Sequence, residues 1–354
     1  MVAGYRGAVR ALTLRPGEPG SLTVQDIDEP AEEEGPVLVD GLAVGLCGTD
    51  VEITDGSYGQ PPPGSDHLVL GHESLGRVAQ APPDSGLAAG DLVVGIVRRP
   101  DPVPCPACAV GEWDMCRNGR YTEHGILGRH GFARQRWREH PDALVRLDPA
   151  LADIGVLLEP ASVVAKAWEQ VDRIGQRAFW QPRTAAITGA GPVGLLAALL
   201  AVRRGLEVHV FDIVTGGPKP ALVAGLGATY HQGKLPDSGL APDIVVECTG
   251  VPAVVVDAMT CNGVDGIVCL TGVSRKGAPI PLDIGGLGHE VVLQNDLIFG
   301  TVNANRRHYE AALAALAAAD RAWLAALITR RVPLESYRDA FARTPDDVKV
   351  VLEL

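Results

Sequence analysis

The chain has no apolar run of bilayer length. The longest, Leu195–Val202 (LLAALLAV), falls far short of the roughly 20 residues that a membrane-spanning helix needs. Dense Lys/Arg runs are also missing, and 31 basic against 43 acidic residues give a formal net charge of −12. That balance repels a phosphate backbone and argues against nucleic acid as a partner. The first residues, MVAGYRGAVRALTLRPG, lack the continuous apolar core of a signal peptide. Seven cysteines, an odd number, make no secreted disulfide framework: three cluster at Cys105, Cys108 and Cys116, and Cys248, Cys261 and Cys269 lie in apolar surroundings. The expectation is a cytoplasmic protein with neither a membrane nor a nucleic acid as partner. At 354 residues, 46% hydrophobic and 21% charged, the chain is long enough for two domains with separate cores.

What is present in the second half is a nucleotide signature. TAAITGAGPVGLLAALLAVRRGLEVHVFD, from Thr184, reads as a β run, a glycine turn, an apolar helix and a second β run. Gly189, Gly191 and Gly194 supply GxGxxG at the strand-to-helix turn, with Pro192 and Val193 inside it. There the absent side chains permit a tight bend and close approach of a pyrophosphate to the helix N-terminus. Asp212 closes the second strand, 21 residues after Gly191, the spacing at which a carboxylate accepts hydrogen bonds from the adenosine ribose. The same carboxylate repels a 2′-phosphate, so NAD is expected in preference to NADP. The alternation continues through a helical stretch at 219–226, a strand ending at Thr249 and Gly250, a further helix, and a strand at 266–273 ending in Val273. Strand ends of this kind line the cofactor crevice of an open parallel sheet. Cys248 and Cys269, inside apolar strands, read as core thiols.

The first half has another texture, with short β-like runs, many prolines and glycines, and little helical periodicity. Within it lie GLCGTDVEI around Cys47, LVLGHESLGRV around His72 and GVLLEPASVVAKAWE around Glu159. Together these offer a thiolate, an imidazole and a carboxylate, a catalytic zinc set with an open position for water or substrate.

The order CGTD, GHE, a cysteine-bearing lobe, LLEPxSV and GxGPVG resembles the zinc-dependent medium-chain dehydrogenase/reductase family over essentially the whole chain. CGTDVEI, VRRP (97–100), YTEHGILGRHGF (121–132), GVLLEPASVVAKAWE and GTVNANRRHYEAA (300–312) are similar to its microbial glucose dehydrogenase branch. The resemblance implies an α/β fold: a β-rich GroES-like catalytic domain plus a doubly wound parallel-sheet Rossmann domain. It implies Cys47, His72, Glu73 and Glu159 at the catalytic zinc. Thr49 falls near the reacting oxygen, and Glu123, Glu159 and Asn303 among the sugar contacts. The chemistry it implies is hydride transfer between NAD and a hydroxyl carbon, with zinc as the Lewis acid. Glu73 or Glu159 would buffer the metal's charge or take a proton through water.

In that family a lobe beside the catalytic domain holds a second, structural zinc through CxxCxxCx7C. Cys105, Cys108 and Cys116 reproduce the last two intervals, and the first cysteine would fall at Pro102. Asp101, one residue upstream, is the expected fourth ligand, because zinc accepts carboxylate oxygen as well as thiolate sulfur.

The expected boundaries are 1–172 with 304–354 for the catalytic domain and 173–303 for the dinucleotide domain, with the active site in a cleft between them. An aldose 1-dehydrogenase is the leading reading. A dehydrogenase of an amino sugar, cyclitol or nucleoside intermediate is the alternative, since Val97 stands where some relatives carry a sugar-binding Asn. A noncatalytic NAD-binding regulator would be expected to lack Cys47, His72 or Glu159, and none is lost. A homodimer or homotetramer is expected, with DLIFGTVN (296–303) as a possible sheet edge.

Overall fold

A computed structural model describes residues 7–273 and 279–354. The chain divides into two compact units, Met1–Glu159 with Asn303–Leu354, and Pro160–Val302. The division falls in the first turn of the helix Leu158–Gly175, whereas the boundary expected from the sequence, 172/173, falls in its last turn. Beyond its first turn this helix serves the second unit: the Trp168 indole donates to the Ala197 carbonyl and Lys166 Nζ to that of Val302. At the other boundary, Asn303 bonds within the first unit.

The first unit is β-rich. Its main sheet runs Leu144–Leu147, Leu92–Gly95, Glu73–Gln80, Val37–Gly45, Lys349–Glu353, Ile328–Pro333, and Arg136–Glu139 also pairs with Val37–Gly45. Val37–Gly45 alternates buried and half-buried positions along most of its length, as a strand with one face on a core must. Trp137, Phe132, Leu12 and Ile53 are among the side chains sealed in that core. The pairing places Gly45 opposite both Glu73 and Val351. Three strands therefore converge on one point. A β-carbon on Gly45 would lie 2.0 Å from Glu73 Oε2, so only glycine leaves room for that carboxylate.

The second unit is a six-stranded, wholly parallel sheet in the order Thr229–Gln232, Glu207–Asp212, Thr184–Thr188, Ile244–Glu247, Ile267–Leu270, Leu297–Gly300. Read in sequence rank this is 3-2-1-4-5-6, the doubly wound dinucleotide-binding order. The helices Pro192–Val202, Pro218–Gly225 and Pro252–Thr260 each follow a strand and carry proline in the first turn, where its missing N–H costs nothing. Pro192–Val202 is buried along almost its whole length, which accounts for the LLAALLAV run. Among the described residues no helix is long and apolar enough to cross a membrane. All seven cysteines are free of disulfides.

Candidate active site and metal centres

Cys47 is the N-cap of the short helix Gly48–Thr54: its sulfur accepts the Thr49 N–H at 3.4 Å, and Asp50 Oδ2 accepts the Cys47 N–H at 2.9 Å. Those bonds fix the thiol at the N-terminal mouth of the helix. His72 closes the turn entering Glu73–Gln80, and one ligand atom each from Cys47, His72 and Glu73 fit within 4.8 Å of one another. His72 Nδ1 faces the fully buried Asp50 carboxylate at 3.4 Å, leaving Nε2 for a metal, the carboxylate–histidine arrangement common behind zinc. Burial opposes charge on His72, yet Asp50 and Cys47 outweigh it and hold the imidazole well above its ordinary value. A half-buried sulfur with a buried nitrogen and oxygen, and anionic support behind them, suits a divalent zinc ion.

Glu73 is engaged: Lys349 Nζ donates to its Oε1 and Oε2 at 2.6 and 2.5 Å and to the Leu46 carbonyl at 3.1 Å. Glu159 is not part of the 4.8 Å group. It sits in the first turn of Leu158–Gly175, behind the 3-10 turn Gly155–Leu157 that packs on Glu73–Gln80 and Val37–Gly45. Burial, with Glu73 adding to it against His72, pushes the Glu159 carboxyl up to about 7. Thr49 is half-buried, and its hydroxyl has no hydrogen-bond partner among the described residues.

Glu123 lies in Thr122–His124, directly across the ladder from Arg98. Its Oε1 accepts from Arg98 Nε at 3.1 Å, Arg98 Nη2 at 3.0 Å and Asn303 Nδ2 at 2.7 Å. Asn303, at a left-handed φ of 62°, also takes the Ala304 N–H on its own Oδ1. The turn after Glu123 is pressed against the one before His72: a β-carbon on Gly125 would stand 2.6 Å from the Gly71 carbonyl oxygen. Val97 is buried in the core of this unit.

In the lobe the structure brings Cys105, Cys108 and Cys116 together, all three sulfurs within 4.8 Å and Cys105 to Cys108 at 3.5 Å. The Arg117 N–H, pointing at the Cys105 sulfur at 3.4 Å, lowers that thiol to about 6, and burial raises Cys108 to about 11. The expected fourth ligand is not among them. Asp101, buried, takes the Val103 N–H at 2.8 Å and the Asn118 amide at 2.5 Å, while Asn118 Oδ1 accepts from Cys116 at 2.9 Å.

In the second unit each glycine of the turn has its own reason. Gly189 has φ +91°, a β-carbon on Gly194 would sit 1.8 Å from the Gly189 carbonyl oxygen, and beside Gly191 there is open space. This matches tight turn, close helix packing and backbone approach to a pyrophosphate. Pro192 and Val193 open the helix behind the turn. Thr249 and Gly250 close the strand Ile244–Glu247, and Val273 faces Gly250, whose β-carbon would meet the Val273 carbonyl oxygen at 2.5 Å. The sequence reading missed Glu247, a sealed carboxylate that accepts from the Thr249 hydroxyl and from the Thr249 and Gly250 N–H groups. Asp212 accepts the N–H groups of Ala190 and Val214, and Lys219 Nζ stands 3.0 Å from its Oδ2. The carboxylate is thus neutralised by a lysine seven residues on, and the charge argument for NAD over NADP loses its basis.

Residues 33–149 match the alcohol dehydrogenase GroES-like domain, and residues 152–354 match the glucose dehydrogenase C-terminus. Glucose 1-dehydrogenases of Methanocella arvoryzae and Thermoproteus tenax are 39% and 40% identical, each alignment covering 98% of this chain and 99% of the relative. The solved glucose dehydrogenase of Haloferax mediterranei, in complex with NADP, zinc and gluconolactone, superposes with a TM-score of 0.90 at 32% identity, covering 98% of this chain and 99% of that one. The chain belongs to the zinc-dependent medium-chain dehydrogenase family, in its glucose dehydrogenase branch. It is an oxidoreductase that works with zinc and a nicotinamide dinucleotide.

Proposed function

We propose that the protein oxidises the C1 hydroxyl of an aldose of the glucose type to the lactone and passes the hydride to NADP or NAD. The observation that carries this reading is the cluster of half-buried Cys47 with buried His72 and Glu73 in a chain similar along its whole length to glucose 1-dehydrogenases. Bound at Cys47 and His72, with Glu73 and Glu159 beside them, zinc supplies Lewis acidity to a substrate hydroxyl. The chain's own residues do the rest. The Thr49 hydroxyl lies next to Cys47 in sequence and relays the released proton. Glu123 and Asn303 receive sugar hydroxyls, and the open space beside Gly191 seats the pyrophosphate.

For the cofactor, NADP fits at least as well as NAD: Lys219 places an ammonium beside Asp212, where a 2′-phosphate would need one. In the lobe, Cys105, Cys108 and Cys116 would hold a second zinc, with Asp101 as fourth ligand once its carboxylate turns from the Val103 N–H and the Asn118 amide. A homo-oligomer is proposed on the edge strand Leu297–Gly300, which among the described residues pairs on one side only, and on the exposed Ile284, Val292 and Leu293 of the preceding helix. Light scattering at micromolar concentration tests this, and a monomer there refutes it.

Assays of aldoses, cyclitols, nucleosides and simple alcohols with NAD and NADP test the activity. Turnover of aldoses supports the proposal; turnover confined to unfunctionalised alcohols overturns it.

A further inference from the structure

Glu123 carries an asymmetry. Every hydrogen bond it receives on its side chain converges on Oε1: two from the Arg98 fork and one from Asn303. Oε2 accepts none among the described residues, and the carboxylate as a whole is 5% exposed. A carboxylate sealed to that degree with one oxygen fully engaged has a single orientation, and its second oxygen is left to take a hydroxyl proton.

Arg98 is what fixes that orientation. It is 5% exposed and held on three sides. Nε and Nη2 grip Glu123, Nη1 donates to the Asp114 carbonyl at 3.1 Å, and the Tyr121 ring lies 3.7 Å from the guanidinium carbon. Asp114 belongs to the 3-10 turn Trp113–Met115 between Cys108 and Cys116, and its carboxylate accepts the Asn305 amide at 2.6 Å, two residues from Asn303. One guanidinium thus ties the cysteine lobe to the carboxylate. Lysine, with a single point of charge, cannot hold Glu123 Oε1 between two converging N–H groups, reach the Asp114 carbonyl and stack on Tyr121 at once.

We propose that Arg98 is a positioning residue for substrate selection: it locks Glu123 through Oε1 and so presents Oε2 to a hydroxyl of the sugar, with the lobe turn at Asp114 as its anchor. This rests on the reading of Glu123 as a sugar contact. It assigns the discrimination between polyols to a residue that itself touches no substrate.

The test is the Arg98→Lys variant of the full-length, zinc-loaded protein, beside Glu123→Gln and the double variant. Expected is a rise of roughly tenfold or more in the KM for the sugar, with the KM for NADP held within about twofold. The double variant is expected to be no worse than Glu123→Gln alone, because the two residues act as one unit. A crystal structure of Arg98→Lys is expected to show the Glu123 carboxylate turned from its wild-type position. Unchanged sugar KM, additive effects, or an unmoved Glu123 overturns the proposal. If the wild-type protein turns over no aldose, the functional reading falls, and the crystallographic position of Glu123 decides for Arg98 alone.

Discussion

Lys349 donates to both carboxylate oxygens of Glu73, at 2.6 and 2.5 Å, with each side chain 2% exposed. The two stand 276 residues apart, and the shared neighbour strand Val37–Gly45 brings them together. The ammonium compensates the charge of an acid that lies beside Cys47 and His72, the residues that would hold zinc.

Removing that ammonium leaves a buried charge alone. Lys349→Met is expected to destabilise the protein by roughly 3–5 kcal/mol, measured as the urea midpoint multiplied by the denaturation slope. The Lys349→Met/Glu73→Gln pair is expected to recover most of that loss, since the uncompensated charge is gone.

Zinc content distinguishes the two centres. Elemental analysis is expected to find two zinc ions per chain. Cys105→Ser is expected to lose one and to lower the melting temperature by several degrees, on the order of the 1 kcal/mol or more that a metal-held lobe contributes. Cys47→Ser is expected to lose the other and to abolish turnover while leaving the melting temperature closer to wild type.

Glu159 sets a pH dependence in the metal-stripped protein. Its carboxyl is raised by burial to about 7 from an ordinary 4.5, so the fold favours the protonated form. The associated stability is complete below pH 4.5 and is lost as pH rises through 7, amounting to roughly 3 kcal/mol. Glu159→Gln removes this dependence. Denaturation of the chelator-treated variant is expected to show it more stable than wild type at pH 8 and equal to it near pH 4.5, while its zinc affinity falls.

Cofactor choice is expected to rest on Lys219, whose ammonium stands 3.0 Å from Asp212. Lys219→Ala is expected to raise the KM for NADP by roughly tenfold, the scale of one partly exposed charge-assisted contact, and to change the KM for NAD little. Equal effects on both cofactors would mean that Lys219 supports only Asp212.

The sequence makes the second unit legible almost strand by strand, because its signals are local. Period, glycine spacing and the acid at the end of the second strand all lie within 29 residues of Thr184. Cys47 and His72 are equally legible, each in its own short motif. What hides is every partner supplied by long-range pairing: Lys349 for Glu73, Arg98 for Glu123, Asp50 for the His72 ring. Arg98 is visible within VRRP, yet its role depends on a ladder register with Glu123 that no spacing encodes. Lys219 was within reach, seven residues past Asp212, and a search for cations near that acid finds it.

The strand Lys349–Glu353 lies inside the main sheet of the first unit, between Val37–Gly45 and Ile328–Pro333. On a translating ribosome the second unit, 160–302, is therefore complete while the first still lacks an interior strand. Glu73 has no ammonium partner until Lys349 is made. A chain cut before Lys349 keeps every strand of its dinucleotide unit but leaves the catalytic sheet open between Val37–Gly45 and Ile328–Pro333 and Glu73 without its ammonium.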